Sequence, residues 1–192
     1  AELVFKIIPD YTSRILQLKK GEIDLIELVK VEDMNELKAI SNIELVTLTG
    51  REYDYIGWNN VDPGEPSKPH KLFGSSTVRK ALSMAINRKE ILEEYLSGQG
   101  ELAASPVSPI FKSAFNDKVI PYDFNPDEAK RLLSIEGWND EDRNGILEKN
   151  KVEFKFKIFY PVGNPLREYS AVVVKNNLKA IGVETTTEKM EM

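Results

Sequence analysis

Hydrophobic positions in the first part of the chain follow two alternating spacings. Residues 3–8, 23–29 and 43–48 are short runs rich in β-branched and other apolar residues, which predict strands. Residues 11–18 and 32–40 carry apolar residues at helical spacing, which predicts short amphipathic helices. Because strands and helices alternate, these residues are predicted to form a βαβαβ unit.

Helix-capping residues precede each of the apolar helical runs that follow strand-like or loop segments. They predict helices that begin after Asp10, Ser75 or Ser76, Asn87, Asn125 and Asn164. Alternating apolar residues predict strands at 152–158 and 183–188. The chain is therefore predicted to be an α/β protein.

The pattern breaks in the middle of the chain. Residues 51–60 concentrate aromatic side chains and read as a strand, with Tyr53 and Tyr55 on one side. Residues 61–71 contain three prolines and a glycine, which exclude regular structure there. We therefore predict two bodies, residues 1–56 and residues 57–192.

Composition excludes several classes of function. The 192 residues include 26 basic and 31 acidic side chains, a net charge of −5, and these are well mixed, so nucleic acid is not a predicted partner. The absence of cysteine excludes disulfides, thiolate metal sites and cysteine nucleophiles. No apolar run approaches the roughly 18 residues of a membrane helix, and the start lacks a signal-peptide pattern. We expect any signal segment to lie outside this chain.

The sequence also lacks the motifs of several common catalytic sites. His70 is the single histidine and lies in the proline-rich segment, where we expect it to be solvated. A catalytic triad or a histidine-rich metal site cannot be built around it. Since a G-x-S-x-G motif and a phosphate-binding loop are absent too, the chain is predicted not to be an enzyme such as a hydrolase or transferase.

One acidic turn resembles half of a calcium-binding loop. Asp140, Asp142 and Asn144 alternate and Gly145 follows them, as in the first half of an EF-hand loop. Lys151 occupies position twelve, where that loop needs a bidentate glutamate. A weak Ca²⁺ site and a plain turn rich in Asp and Asn both remain open. No other cofactor is expected.

Two segments have the character of ligand contacts. The aromatic run Tyr53, Tyr55 and Trp58 with Gly57 could line a pocket or could pack in the core. The loop 98–110 is long and rich in small residues and proline, which indicates either a packed or a functional loop. Both alternatives stay open for both segments.

A set of sequence blocks resembles a known family. The blocks are "LVFKIIPDYTSRILQLKKGEIDLIE", "GWNN", "FGSSTVRKALSMAINRKEIL", "NPDEAKRLLSIEGW" and "NNLKAIGVE", in this order. Together they resemble the family 5 extracellular solute-binding proteins, the peptide, dipeptide and nickel receptors of ABC importers. The resemblance implies a type II periplasmic-binding-protein fold, in which two α/β lobes close over a ligand.

The resemblance also implies that the chain is partial. Family members are usually more than twice as long, so residues 1–56 are expected to be part of the first lobe and residues 57–192 part of the second. The helix pair within "FGSSTVRKALSMAINRKEIL" is scaffold in that family and holds the loops that face the ligand. The full-length protein is expected to be a monomer that is extracellular or periplasmic and associated with the cell envelope.

Ligand contacts follow from the resemblance by position. Family members line the cleft with the strand that crosses between lobes and with the loop after the helix pair. The corresponding residues are Tyr53, Tyr55, Gly57, Trp58, Asn59, Ala104, Ser105 and Val107. The implied function is to bind oligopeptides and deliver them to the membrane subunits of an ABC permease. The alternative functions are a receptor for another solute, such as a nickel chelate or a sugar, and a calcium-stabilised structural module.

Overall fold

A computed structural model describes residues 2–191. The chain forms two compact units, Ala1–Thr49 and Gly50–Met192. This division falls after Thr49, whereas the sequence predicted a boundary after residue 56. The assignment of residues 1–56 and 57–192 to two lobes stays a prediction, because compactness does not show to which lobe of a longer protein a residue belongs.

The first unit contains two helices, α1 (Tyr11–Lys19) and α2 (Val31–Lys38). The side chain of Asp10 accepts a hydrogen bond of 2.8 Å from the backbone N–H of Ser13, which confirms the predicted cap of α1. Ile15 and Leu37 are the apolar side chains that this unit buries among the described residues.

The predicted strands of the first unit are not formed. Residues 3–8, 23–29 and 43–48 are irregular, so the prediction of a βαβαβ unit is wrong for the described residues. Leu3, Val4, Phe5 and Ile7 are 75–92% exposed. A strand requires a neighbour that completes its hydrogen-bond ladder, and local β propensity does not supply that neighbour.

The helices of the second unit begin where their capping residues predicted. They are α3 (Ser76–Met84), α4 (Arg88–Glu90), a π-helical turn (Ile91–Tyr95), α5 (Pro126–Ile135) and α6 (Pro165–Lys179). Their caps are the side chains of Ser75, Asn87, Asn125 and Asn164, each of which accepts a hydrogen bond from a backbone N–H of the first turn. The helix predicted after Asn87 therefore exists, but its second half is π-helical.

Two pairs of strands accompany these helices. Strands β1 (Glu148–Lys149) and β2 (Val152–Glu153) form a short antiparallel pair. Strands β3 (Lys155–Pro161) and β4 (Glu184–Met190) are parallel, with Lys155 opposite Glu184. Since α6 connects β3 to β4, the last part of the chain is a βαβ unit. The strands predicted at 152–158 and 183–188 are confirmed, although the first is divided between β2 and β3 at Phe154.

One hydrophobic core holds the second unit together. Leu82 of α3, Leu133 of α5 and Leu178 of α6 are fully buried and meet Phe154, which immediately precedes β3. Helices α3, α5 and α6 thus share one core with strand β3 and its flanking residues. Within residues 2–191, every helix is too short or too polar to cross a membrane.

Candidate ligand-binding surface

The aromatic segment, residues 50–59, carries most of the predicted ligand contacts. Its backbone is irregular, and the nearest strand-like pairing is the isolated bridge between Val61 and Pro69. The prediction of a strand is therefore wrong here, for the same reason as in the first unit: no described neighbour completes a ladder. The side chains are consequently free of a strict two-sided alternation.

Tyr53 and Tyr55 form an exposed aromatic pair. Their rings are 5.6 Å apart with an interplanar angle of 38°. Tyr53 is 43% exposed and Tyr55 is 77% exposed. Core packing, one of the two interpretations of the sequence, does not describe these two side chains. Their role as ligand contacts stays a prediction.

Trp58 has the opposite environment. Its ring lies 5.3 Å from that of Phe73 and 6.0 Å from that of Phe156, and it packs against the hydrophobic core. Core packing is therefore the main role that the structure shows for Trp58. Trp58 therefore holds the end of the aromatic segment against the core of the second unit.

Gly57 precedes Trp58 and Asn59 follows it, and both residues are exposed. A Cβ at Gly57 would meet only the Tyr55 ring at 3.6 Å, an ordinary contact, so the fold itself does not require glycine there. The side-chain oxygen of Asn59 accepts a weak hydrogen bond of 3.4 Å from the N–H of Val61. Gly57 through its backbone, and Asn59 through its backbone and side-chain amide, present polar atoms within four residues of Tyr55.

The long loop, residues 101–124, contains the other predicted contacts. Ala104, Ser105 and Val107 are half-buried. The hydroxyl of Ser105 accepts a hydrogen bond from the N–H of Val107 (3.2 Å) and lies 3.3 Å from its carbonyl oxygen, which closes a local turn. These side chains are held by their own loop.

The structure brings the long loop to the aromatic segment through residues that the sequence did not single out. The hydroxyl of Ser108 donates a hydrogen bond of 2.7 Å to the carbonyl of Gly50. The guanidinium of Arg51 lies 5.9 Å from the centre of the Phe111 ring, within cation–π range. The long loop and the aromatic segment, which carry the two sets of predicted contacts, therefore touch each other. Nothing in the local sequence indicates this pairing.

An ion pair holds the aromatic segment from another direction. The guanidinium Nε of Arg167, in the first turn of α6, lies 2.6 Å from a carboxylate oxygen of Asp54. Asp54 sits between the two exposed tyrosines in sequence. Because both partners are largely solvated, the pair contributes more to orientation than to stability.

His70 is not solvated as predicted. Its Nδ1 accepts hydrogen bonds from the N–H groups of Leu72 (3.1 Å) and Phe73 (3.2 Å), and its ring stacks 4.9 Å from that of Phe73. The half-buried imidazole thus closes a turn before α3. Since Nδ1 accepts from two backbone groups, the neutral ring carries its proton on Nε2.

The acidic turn satisfies its own polar groups. Carboxylate oxygens of Asp142 and Asp140 accept hydrogen bonds of 3.0 Å from the N–H groups of Asn144 and Gly145, and the Asn144 side chain accepts one of 2.8 Å from Ile146. Over residues 2–191, three or more His, Cys, Asp or Glu side chains nowhere gather as a metal site would require. Calcium binding at Asp140, Asp142 and Asn144 stays a prediction, and an Asx-rich turn accounts for the observed bonds.

A separate depression of about 260 Å³ lies within the first unit. The hydroxyl of Tyr11 donates to a carboxylate oxygen of Asp33 (2.5 Å) and accepts from the N–H of Lys30 (2.9 Å). Burial and, second, the hydrogen bond to Asp33 raise the pKa of Tyr11 above its usual value. These contacts tie α1 to the start of α2, so the polar groups of this depression serve the structure.

Comparison with known proteins identifies the family. The model of the bacterial extracellular solute-binding proteins, family 5 (middle), matches residues 1–192. The chain belongs to this family. The prediction drawn from the order of the sequence blocks is thereby confirmed.

Relatives within the family carry different names. The chain is 35% identical over 190 residues to the oligopeptide-binding protein AppA of Bacillus subtilis, covering 98% of this chain and 33% of the relative. It is 30% identical over 183 residues to heme-binding protein A of Haemophilus influenzae, covering 95% of this chain and 30% of the relative. The chain spans about a third of the length of these curated relatives.

Solved structures confirm the predicted fold class. The structure of Bacillus subtilis AppA in complex with a nonapeptide superposes with a TM-score of 0.73 at 34% identity, covering 96% of this chain and 35% of that protein. The chain is thus a partial α/β chain of the type II periplasmic-binding-protein class.

Proposed function

We propose that this chain is the middle part of a two-lobed receptor that binds oligopeptides and delivers them to an ABC permease. Membership of a solute-binding family supports the receptor role. The names of the relatives support the ligand class, since AppA of Bacillus subtilis is an oligopeptide-binding protein whose structure contains a nonapeptide. The surface of the aromatic segment supports it on physical grounds.

The free backbone of the aromatic segment is the observation that carries this proposal. Among the described residues, no backbone–backbone hydrogen bond involves residues 51–58. An extended peptide can pair its own N–H and C=O groups with unpaired backbone groups of this kind, independently of its sequence. Tyr53 and Tyr55, within this stretch, offer aromatic surface to varied side chains. This combination suits main-chain recognition of a peptide.

The remaining predicted contacts complete this surface in the proposal. Gly57 lies within the unpaired stretch and Asn59 follows it, and Ala104, Ser105 and Val107 belong to the loop that Ser108 ties to Gly50. Trp58 holds the end of this stretch against the core. In the complete receptor, residues 1–56 belong to the first lobe and residues 57–192 to the second, and closure of the lobes encloses the peptide.

The proposed role is binding without catalysis. Its proposed setting is extracellular or periplasmic, in association with the cell envelope, and the family description, which names extracellular proteins, supports a location outside the cell. The partners are the peptide and the permease, and the receptor acts as a monomer. Observed hydrolysis of a bound peptide would contradict this role.

Calorimetric titration of the full-length receptor with pools of dipeptides to nonapeptides tests the proposal. We expect saturable binding of peptides, and weakening by at least about tenfold in a Tyr53→Ala, Tyr55→Ala double variant, since tyrosine is enriched among the few contact residues whose truncation costs about 2 kcal/mol or more. Ile135→Ala, which also removes an exposed apolar side chain, is the control and should bind normally. Binding of a nickel chelate, a sugar or heme in place of every peptide would replace the proposed ligand class.

The calcium alternative has its own test. A Ca²⁺ ion bound only by the folded chain raises the melting temperature, and a chelator reverses that rise. An effect that disappears in Asp140→Asn and persists in Asp127→Asn, an acidic residue at the start of α5, would assign the ion to the acidic turn. No shift with Ca²⁺ would leave the turn as a purely structural element.

A further inference from the structure

Arg88 contacts both ends of the long loop. Its Nη2 donates a hydrogen bond of 2.7 Å to the carbonyl of Tyr122, and its Nη1 donates a longer one of 3.4 Å to the carbonyl of Ala103. Both acceptors are neutral backbone oxygens. One side chain at the start of α4 therefore bridges the entry and the exit of the loop.

The two ends of the loop are attached differently. Near the exit, the N–H of Asn125 donates to the carbonyl of Met84 (2.7 Å), and the ammonium of Lys80 lies 5.4 Å from the centre of the Tyr122 ring. These contacts fix the exit to α3. For Ala103, at the entry, the bond from Arg88 is the tether that the structure shows.

The interior of the loop leads to the aromatic segment. Ser108 bonds to the carbonyl of Gly50, and Phe111 receives the guanidinium of Arg51. These two contacts connect the loop to the residues that precede Tyr53. Arg88 is therefore linked to the exposed tyrosine pair by contacts at the loop and by the covalent chain between them.

We propose that Arg88 is a positioning residue, whose forked guanidinium holds the long loop and, through it, the aromatic segment in the conformation that binds ligand. The expected effect of Arg88 on ligand binding rests on the proposed function, whereas its expected effect on the position of the loop does not.

The shape of the side chain is the physical basis. A guanidinium presents several N–H donors in one rigid plane and can serve two carbonyls at once. An ammonium keeps the positive charge but lacks this planar fork, so Arg88→Lys should not restore the bridge. Arg88→Gln removes the positive charge and also shortens the side chain, so that it no longer spans the two carbonyl groups.

The experiment compares Arg88→Lys and Arg88→Gln with Lys89→Gln in the full-length receptor. Lys89 is the adjacent residue and is largely exposed, and its ammonium faces Glu93 at 3.4 Å, so its replacement matches the charge change without touching the loop. Amide hydrogen exchange, followed by mass spectrometry, reports on residues 101–124 and 51–58. Thermal unfolding monitors the core, and titration with a pool of penta- to nonapeptides measures binding.

We expect both Arg88 variants to speed amide exchange in the long loop about tenfold, the scale of losing two backbone-directed hydrogen bonds. Peptide binding should weaken by a similar factor, while Lys89→Gln changes neither quantity. The melting temperature of the Arg88 variants should stay close to that of Lys89→Gln, because Arg88 lies outside the buried core.

The outcomes separate this inference from the proposed function. Unchanged exchange in the loop, or full rescue by Arg88→Lys, overturns the positioning role. Faster exchange with unchanged binding shows that the loop does not serve the ligand, and also overturns it. If the wild-type receptor binds no peptide, the proposed ligand class fails, and the exchange data still decide whether Arg88 holds the loop.

Discussion

The two compact units differ in how they use their apolar residues. Gly50–Met192 brings helices and a parallel strand pair around one core that includes Phe154 and Leu82. Ala1–Thr49 buries Ile15 and Leu37, while the apolar side chains of its predicted strands are exposed or half-buried. Apolar residues of the same types are therefore gathered into a core in one unit and only partly covered in the other.

This difference shows what short-range pattern can and cannot accomplish. In the second unit, β3 and β4 pair through a crossover helix, so the apolar runs at 152–158 and 183–188 have a described partner. In the first unit, the strand-like runs lack one. Burial of apolar surface stabilises an element only when another element covers it. The second unit should therefore carry most of the stability of this chain.

Removal of a core side chain should give the largest effect. Phe154→Ala empties a fully buried position among Phe73, Phe156 and Trp138 and should destabilise the second unit by about 3–5 kcal/mol. Phe159→Ala changes an exposed ring in β3 and should cost far less. Urea unfolding measures both. Equal costs would mean that the described core does not dominate the stability of the unit.

A glycine substitution tests close packing at the end of α6. Gly182 has a φ of +82°, and a Cβ there would lie 2.9 Å from the Leu147 side chain, so Gly182→Ala combines backbone strain with a clash. We expect a loss of roughly 2–3 kcal/mol. Gly163 has a similar φ of +77° but open space around it, so Gly163→Ala isolates the strain at about 1 kcal/mol. Denaturant midpoints of both variants provide the comparison, and equal losses would remove the packing contribution.

Helix caps allow a direct comparison between the units. Asn125→Ala removes the side-chain acceptor at the start of α5 and should lower the unfolding free energy of the second unit by about 1 kcal/mol. Asp10→Ala removes the corresponding acceptor of α1, and we expect mainly local opening of α1, visible as faster amide exchange. Global destabilisation by Asp10→Ala equal to that by Asn125→Ala would show that the units are equally cooperative.

Titration of Tyr11 should give the smallest effect and sharpen the comparison at high pH. Its pKa is raised from the ordinary value of 10.0, first by burial and then by the bond to Asp33. The folded first unit thus prefers the neutral phenol, so the stabilisation is complete below about pH 10 and declines as pH rises through the folded-state pKa. Unfolding of the wild type and Tyr11→Phe between pH 8 and pH 11 measures this. A wild type and variant with the same pH dependence would contradict it.

Much of the second unit could be predicted from sequence because its signals are local. Asn125 and Asn164 precede prolines at helix starts, and each side chain bonds to a backbone N–H three residues later. The alternation around Phe154 and Phe156 likewise requires only the two-residue period of a strand. The family resemblance depended on the order of such blocks.

The candidate site was predictable in part. The sequence indicated the aromatic segment and the loop, but it could not separate exposed Tyr55 from anchored Trp58, since both are aromatic residues in one run. It missed Ser108, Arg167 and Arg88, whose partners are distant in the chain. It also placed His70 in solvent, although the imidazole accepts two backbone hydrogen bonds.

Local sequence signals specify where helices start and which residues alternate, and the order of the sequence blocks specifies to which family the chain belongs. These properties depend on neighbours within a few residues, or on their order along the chain. Only the tertiary structure decided which strand-like runs become strands, which aromatic rings stay exposed, and how Arg88 bridges the long loop. Strand pairing, side-chain burial and the contacts of Arg88 each require a partner from a remote part of the chain. A local sequence pattern does not indicate which residue that partner is.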